Sequence, residues 1–119
     1  MKRLFLRIDL QPRGRIGPGK INLLEEIGRS GSISAAGRAL GMSYRRAWLL
    51  VDELNRLFAR PVVTTQLGGS HGGGASLTPL GQDLVAAFRQ LEQEAAALAD
   101  RHLAFLDAAT APGPELERE

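Results

Sequence analysis

The chain has 119 residues, a size that accommodates one domain with a single hydrophobic core. Its apolar share of 44% and charged share of 24% are typical of a globular protein, and the absence of cysteine excludes disulfides, thiol catalysis and cysteine-ligated metals. The net charge of +2 hides an asymmetry, because residues 1–60 hold twelve Lys or Arg against five Asp or Glu (+7), whereas residues 61–119 hold three against eight (−5).

The basic first half is a candidate binding surface for a polyanion such as nucleic acid, and an ordinary solvated surface is the alternative. No apolar run approaches the roughly 18 residues needed to cross a bilayer. The basic N-terminus alternates apolar with charged residues, which is typical of a strand and not of a signal peptide. We therefore expect no membrane partner and a cytoplasmic location.

Residues 3–10 place leucine or isoleucine at every second position, and this alternation predicts a strand with one apolar face. Residues 11–20 are rich in proline and glycine and are predicted to be largely a loop. Apolar spacing predicts a short helix over 19–29, with Gly31 as its stop signal and Ser32 as a candidate cap.

The next segment predicts a helix-turn-helix. Ser34 is expected to cap a short helix over 35–40, and Gly41 is expected to end it in a left-handed conformation. Ser43 can cap a second, longer helix that reaches about Phe58, and Pro61 prevents further extension. A short helix, a tight glycine turn and a longer helix are typical of this motif.

A two-stranded wing and a long helix are predicted after the motif. Residues 62–66 and 75–77 read as strands that the stretch "GGSHGGG" (68–74) joins, and Thr78 followed by Pro79 is a strong helix start. The helix is predicted to run to about residue 107. The predicted fold is mainly α with a small β component, a winged helix-turn-helix with a long C-terminal dimerisation helix. Residues 1–107 are expected to form the domain, and residues 108–119 a disordered acidic tail.

The start of the second helix of the motif is the predicted DNA-reading site. Ser43, Tyr44, Arg45 and Arg46 crowd its first turn, where such motifs meet base edges, and arginine can hold guanine with two hydrogen bonds. The alternative is that the arginines are merely solvated and that Tyr44 packs. Trp48 is expected to lie in the core.

The glycine-rich stretch has three interpretations: a phosphate cradle, a linker or a wing tip. It lacks the Lys-Ser/Thr ending of a P-loop and precedes a strand, so a wing tip whose bare backbone approaches phosphates fits best. Two isolated histidines, His71 and His102, do not make a metal site, and neither metal nor cofactor is expected. The candidate DNA-binding residues are Ser34, Ser43, Tyr44, Arg45, Arg46, Gly68, Gly69, Ser70, His71, Gly72 and Gly73.

The stretches "GSISAAGRALGMSYRRAWLLVDELN" and "GGSHGGGASLTPLGQ" together resemble the N-terminal DNA-binding domain of the ModE family of molybdate-responsive transcriptional regulators, over about residues 3–107. The chain is more distantly similar to the LysR-type DNA-binding domain. The resemblance implies a winged-helix homodimer on a pseudo-palindromic operator. Arg46 and Leu49 depart from the smaller or polar residues expected there, which implies a different base preference. The family's molybdate-binding domains are expected to be absent, which leaves effector sensing to a separate protein.

The long helix also predicts a homodimer. Its apolar stripe is longer than one small core can cover, so its second half is expected to meet a second copy, and folding back on its own core is the alternative. The expected interface residues are Leu4, Leu6, Leu91, Ala95, Leu98, His102 and Leu106.

The leading hypothesis is therefore a sequence-specific, dimeric DNA-binding regulator with no catalytic activity. The alternative is an interaction or oligomerisation module whose basic face binds an acidic partner. A phosphate-handling enzyme is a weak third hypothesis, because the glycine-rich stretch offers no general base besides His71.

Overall fold

The computed structural model describes residues 3–66 and 74–111. Within them, two antiparallel hairpins and five helices follow one another along the chain. They are β1 (Ile8–Leu10), β2 (Gly14–Ile16), α1 (Pro18–Ser30), α2 (Ile33–Ala39), α3 (Tyr44–Leu57), β3 (Val63–Gln66), β4 (Gly74–Leu77), α4 (Pro79–His102) and α5 (Phe105–Ala109). The first hairpin pairs β1 with β2, and the second pairs β3 with β4. The predicted mainly α fold with a two-stranded wing is confirmed.

Helix α1 forms where the apolar spacing predicted it. Pro18 occupies its first turn, where a missing N–H leaves no bond unmade, and Gly31 ends it with φ 73° and an N–H bond to the Ile27 carbonyl. The buried side chains of α1 include Leu23, Leu24 and Ile27, so this helix lies at the centre of the core.

The N-terminal strand is shorter than predicted, and the predicted loop after it contains a second strand. Only Ile8–Leu10 is extended and paired, with Gly14–Ile16 as its partner. The turn between them is closed by a bond from the Arg13 N–H to the Leu10 carbonyl (2.7 Å). Ile16 is buried at the end of β2, and this burial stabilises a strand that the glycines and prolines of residues 11–20 obscure in the sequence.

The core is one cluster of apolar side chains drawn from β2, the first four helices and the wing. Its central helix is α1, and α3, α4 and the first strand of the wing close around it. The buried members are Ile16, Ile21, Leu23, Leu24, Ile27, Ile33, Ala36, Ala47, Val51, Leu54, Leu57, Val62, Val63 and Phe88.

The long C-terminal helix begins as predicted and ends earlier. The Thr78 hydroxyl accepts a bond from the Gly81 N–H (3.0 Å), and Pro79 follows it in the first turn. The expectation of one helix to residue 107 is wrong, because α4 stops at His102 and Leu103 leaves the helical conformation before α5. This turn places Leu103 and Leu106 in one groove with Leu4. The end of α4 was not predicted because no glycine or proline marks it in the sequence.

Helices α1 and α4 are joined by a polar network around Arg89. Its guanidinium donates to both carboxylate oxygens of Glu25 (2.9 and 2.8 Å), to Glu92 (2.8 Å) and to the Asn22 side-chain oxygen (2.6 Å). The Arg89 hydrogen bond lowers the pKa of Glu25. The network therefore joins the middle of α4 to α1 by charge as well as by apolar packing.

Within residues 3–66 and 74–111, none of the helices has the length and apolarity required to cross a membrane.

Candidate nucleic-acid interface

Helices α2 and α3 pack closely because small residues face each other between them. A Cβ added at Gly37 would lie 2.9 Å from the Cβ of Ala47. A larger residue at position 37 would therefore force the two helices apart. Gly41 turns the chain with φ 71°, as predicted, and the Met42 N–H bonds back to the Gly37 carbonyl (2.8 Å). This geometry is a helix-turn-helix with α3 as its second helix.

The first turn of α3 is exposed and ordered by its cap. The Ser43 hydroxyl accepts a bond from the Arg46 N–H (3.1 Å), which confirms the predicted cap. Tyr44 is 62% exposed, and Arg45 and Arg46 are exposed beside it. The predicted reading residues are therefore brought together at one accessible helix end.

Three flanks of α3 follow from its helical spacing of about 100° per residue. Tyr44 and Trp48 lie on one side, Arg46 and Glu53 on the other, and Arg45 projects between them. The buried face of α3 contains Ala47, Val51, Leu54 and Leu57. Arg45 is thus the arginine that faces away from the core most directly.

Ser34 does not cap α2, which corrects the sequence prediction. The cap is Ser32, whose hydroxyl accepts a bond from the Ala35 N–H (3.0 Å), and α2 begins at Ile33. Ser34 lies in the first turn of the helix, where its hydroxyl accepts a bond from Arg38 (3.0 Å). The two serines are equally good caps, and the burial of Ile33 selects the earlier start.

The wing stands beside the exposed end of α3. A cleft of about 230 Å³ lies between them; it is lined by Ser32, Ile33, Ser34, Tyr44, Trp48, Thr65, Gln66, Gly74 and Ala75. The described part of the wing therefore shares a surface with Tyr44. The predicted contacts in the connecting segment, Gly68, Gly69, Ser70, His71, Gly72 and Gly73, lie outside the described residues.

Trp48 is not a core residue, which corrects a second prediction. It is 39% exposed and meets the ring of Tyr44 edge-on, with 6.2 Å between the ring centroids. The helical spacing correctly predicted the side of α3 on which Trp48 lies. However, the wing does not cover that side, and a cleft lies where the core was expected. The two rings form an aromatic wall of that cleft.

Asn55 fixes the wing to α3, and sequence reasoning missed it. Its side-chain oxygen accepts bonds from the Val62 and Val63 N–H groups (2.8 and 3.1 Å), and its side-chain nitrogen donates to the Val63 carbonyl (3.1 Å). The sequence did offer a signal for this contact: Asn55 is a polar residue next to the apolar face of α3, and a β-branched pair follows seven residues later.

The predicted dimer residues lie on two different surfaces. Leu91, Ala95, Leu98 and His102 continue the stripe of α4 beyond Phe88, and Leu91 and Leu98 are 43% and 46% exposed. Leu4 lies in the groove with Leu103 and Leu106, and Leu6 packs against the chain's own core. The alternative in which this half of α4 folds back on its own core does not hold for Leu91 or Leu98.

These elements define a winged helix-turn-helix of the kind found in DNA-binding domains. The solved structure of the CbnR_DBD–DNA complex contains a chain with the same fold. The TM-score is 0.54 at 20% sequence identity, and the match covers 72% of this chain and 93% of that one. At this identity the likeness shows the fold alone.

The chain also has homologues in sequence. The chain is 51% identical over 84 residues to the molybdenum-pterin-binding protein MopB of Rhodobacter capsulatus, which covers 71% of this chain and 31% of MopB. It is 43% identical over 96 residues to the molybdenum transport protein ModE of Azotobacter vinelandii, covering 81% of this chain and 36% of that protein. It is 39% identical over 90 residues to the DNA-binding transcriptional dual regulator ModE of Escherichia coli K12, covering 76% and 34%.

The predicted resemblance to the ModE family is therefore confirmed, and the chain is a homologue of ModE and of the Mop proteins. It spans about a third of the length of these relatives. No family model matches the chain. The names of the relatives describe regulators and binding or transport proteins, which confirms the expectation that the chain is not an enzyme.

Proposed function

We propose that the chain is a sequence-specific DNA-binding transcriptional regulator of the ModE type that acts in the cytoplasm as a homodimer on a pseudo-palindromic operator. The observation that carries the proposal is the exposed first turn of α3, which bears Arg45 and Arg46 and whose Tyr44 shares a cleft with the wing. The relatives named as DNA-binding or molybdenum-related proteins support a role in molybdenum-dependent gene regulation.

The proposed reading contact is made by Arg45. Its guanidinium extends from the outermost side of α3, and its flat array of donors matches the O6 and N7 acceptors of guanine in the major groove. Ser43 and the first-turn N–H groups of α3 would contact a phosphate, helped by the positive end of the helix dipole. Tyr44 and Ser34 line the cleft towards the wing and would contact the backbone or base edges there.

The segment between β3 and β4 would supply backbone contacts. Gly68, Gly69, Gly72 and Gly73 carry no side chains, so their N–H groups can approach phosphates closely. The side chains that the segment does offer in this region, Ser70 and His71, can donate to a phosphate or enter a minor groove. In this proposal the segment lies against the same duplex as α3.

Selection from a random duplex pool, followed by titration of the recovered site, tests the reading contact. We expect Arg45→Ala to lower affinity for the recovered site by about 1–3 kcal/mol, roughly 5- to 150-fold, and to relax base preference at one position. Arg45→Lys keeps the charge but loses the paired geometry, so it should retain non-specific binding and lose the preference.

Arg101→Ala is the matched control, because it removes an equally charged, exposed residue at the far end of α4. If the pool yields no preferred sequence, the chain does not bind DNA sequence-specifically. That result would favour the alternative in which the basic face binds an acidic partner. If Arg45→Ala binds the recovered site as tightly as the wild type, α3 is not the reading helix in the orientation proposed.

The dimer is proposed from the stripe on α4. Leu80 and Leu84 pack against the core, Phe88 is buried, and the same face of the helix then continues through the exposed Leu91 and Leu98. A second copy that pairs this face about a two-fold axis would bury it and would also place two α3 helices on two half-sites. Ala95 and His102 lie on the same face, and Leu4 and Leu106 would border it.

Sedimentation velocity tests the dimer. The wild type is expected to sediment as a dimer, and Leu91→Asp combined with Leu98→Asp is expected to give a folded monomer with weakened operator binding, because four desolvated carboxylates would meet in the interface. Ala97→Asp, on the opposite side of α4, is the control and should remain dimeric. A monomeric wild type at high concentration contradicts this part of the proposal.

A further inference from the structure

The hairpin of β1 and β2 contacts the side of α3 that faces away from the wing. Ile16 is buried, and a Cβ added at Gly14 would lie only 2.7 Å from a methyl carbon of Leu57. Lys20 fixes the same contact by donating both to the Arg15 carbonyl (2.7 Å) and to the Glu53 carboxylate on α3 (2.7 Å). The hairpin is therefore held in place relative to the recognition helix.

A broad groove of about 860 Å³ opens between this hairpin and α3. Four cationic side chains line it, and the two carboxylates in it belong to Asp9, which pairs with Arg7, and to Glu53, which pairs with Lys20. The cationic members are Arg7, Arg15, Lys20 and Arg46. The groove is thus continuous with the first turn of α3 through Arg46.

The two flanks of α3 differ in charge. The stretch 62–78, which includes both described strands of the wing, contains no Lys, Arg, Asp or Glu. Residues 7–20 contain Arg7, Arg13, Arg15 and Lys20 against Asp9, a net charge of +3. Among the described residues, neither Arg13 nor Arg15 uses its guanidinium in a hydrogen bond or ion pair, and both are exposed. Only the hairpin flank therefore offers fixed cationic groups to a polyanion.

We propose that the β1–β2 hairpin is a second DNA-contacting wing, whose Arg13 and Arg15 bind backbone phosphates on the side of the recognition helix opposite the glycine-rich wing. This inference rests on the proposed DNA-binding function and adds a surface to it. With α3 in the major groove, the sugar-phosphate strands rise on both of its sides, so a rigid cationic hairpin on one flank meets one of them. Such contacts raise affinity for every sequence and carry the salt dependence.

Fluorescence anisotropy of labelled duplexes, titrated at a series of KCl concentrations, tests the proposal. Combining Arg13→Ala with Arg15→Ala should weaken binding to the selected site and to a scrambled duplex by the same factor. It should also reduce the slope of log Kobs against log salt by about 1–2, since each phosphate contact contributes about 0.9. Arg13→Lys with Arg15→Lys should keep most of the slope. Thermal unfolding of the alanine variant, expected to match the wild type, confirms that its fold is intact.

Neutral methylphosphonates, placed one at a time in the duplex, locate the contact. Phosphates whose neutralisation weakens the wild type but not the alanine variant should lie on one strand, on the side away from those that the wing protects. An unchanged salt slope and affinity in the alanine variant, with wild-type binding intact, would overturn this inference alone. Absence of DNA binding by the wild type would overturn it together with the proposed function.

Discussion

The two hairpins that flank α3 are both two-stranded and antiparallel, yet they are built from different chemistry. The β3–β4 wing is uncharged and is anchored to α3 by the half-buried amide of Asn55. The β1–β2 hairpin is cationic and is anchored by apolar packing and by Lys20 of α1, which donates to the Arg15 carbonyl and pairs with Glu53. A neutral wing can position backbone donors closely, whereas a cationic one supplies affinity that salt weakens.

The difference shows how a small domain can divide two tasks between similar elements. Buried hydrogen bonds to the wing are directional and insensitive to salt, so they define its position. An ion pair near the surface contributes less to stability, and the hairpin relies on Ile16 and Leu57 for its position. Substitutions at the two anchors should therefore have unequal effects.

The largest effect is expected at Gly81, where the wing meets the start of α4. A Cβ there would lie 2.3 Å from the Val62 carbonyl oxygen, a backbone atom that cannot move without the wing. Gly81→Ala should lower the free energy of unfolding by about 3 kcal/mol, measured by urea denaturation. Gly19→Ala is the control, since nothing lies within 4 Å of a Cβ at that position, and it should be neutral or slightly stabilising.

A somewhat smaller effect is expected for Asn55→Ala. The substitution leaves the N–H groups of the buried Val62 and Val63 without their side-chain acceptor, which should lower the free energy of unfolding by about 2–3 kcal/mol. Asn55→Asp keeps an acceptor for both groups and should lose less, although it loses the donor to the Val63 carbonyl. Equal stability of the alanine variant and the wild type would show that the wing is held by its strand pairing alone.

The smallest effect is expected on the other flank, for Glu53→Gln. The change removes the charge of a half-exposed partner of Lys20 while a side-chain oxygen remains to accept the bond, so stability should fall by less than about 1 kcal/mol, and the difference should vanish in 1 M KCl. If the hairpin contacts phosphates, the same substitution should tighten DNA binding at low salt. If Glu53→Gln lowered the free energy of unfolding as much as Asn55→Ala, the two hairpins would be anchored equally strongly, which contradicts the expected difference between them.

Much of this architecture could be predicted from the sequence, because its signals are local. The caps at Ser43 and Thr78, the helix stop at Gly31 and the left-handed turn at Gly41 depend on a few neighbouring residues, and the structure has them as predicted. The first turn of α3 was located in the same way. These positions fix the helix-turn-helix and hence the candidate reading residues.

The remaining features depend on contacts between distant parts of the chain. Strand β2 forms around Ile16 inside a stretch whose glycines and proline predict a loop, and the end of α4 depends on a groove shared with Leu4. Trp48 was predicted to lie in the core because a helical wheel shows the side of the helix on which a side chain lies. It does not show whether a neighbouring element covers that side. Asn55 belongs to no recognisable sequence motif, because its hydrogen-bond partners are backbone atoms at the start of the wing.

The base of the wing is also joined to the rest of the fold through main-chain atoms. The Ala75 N–H bonds to the Gly31 carbonyl (2.9 Å), and the Thr78 N–H bonds to the Val62 carbonyl (3.0 Å). Neither bond depends on the identity of a side chain within the strands. The exposed residues along the wing can therefore change during evolution while its placement persists, so the surface that the wing presents can diverge between paralogues without a new scaffold.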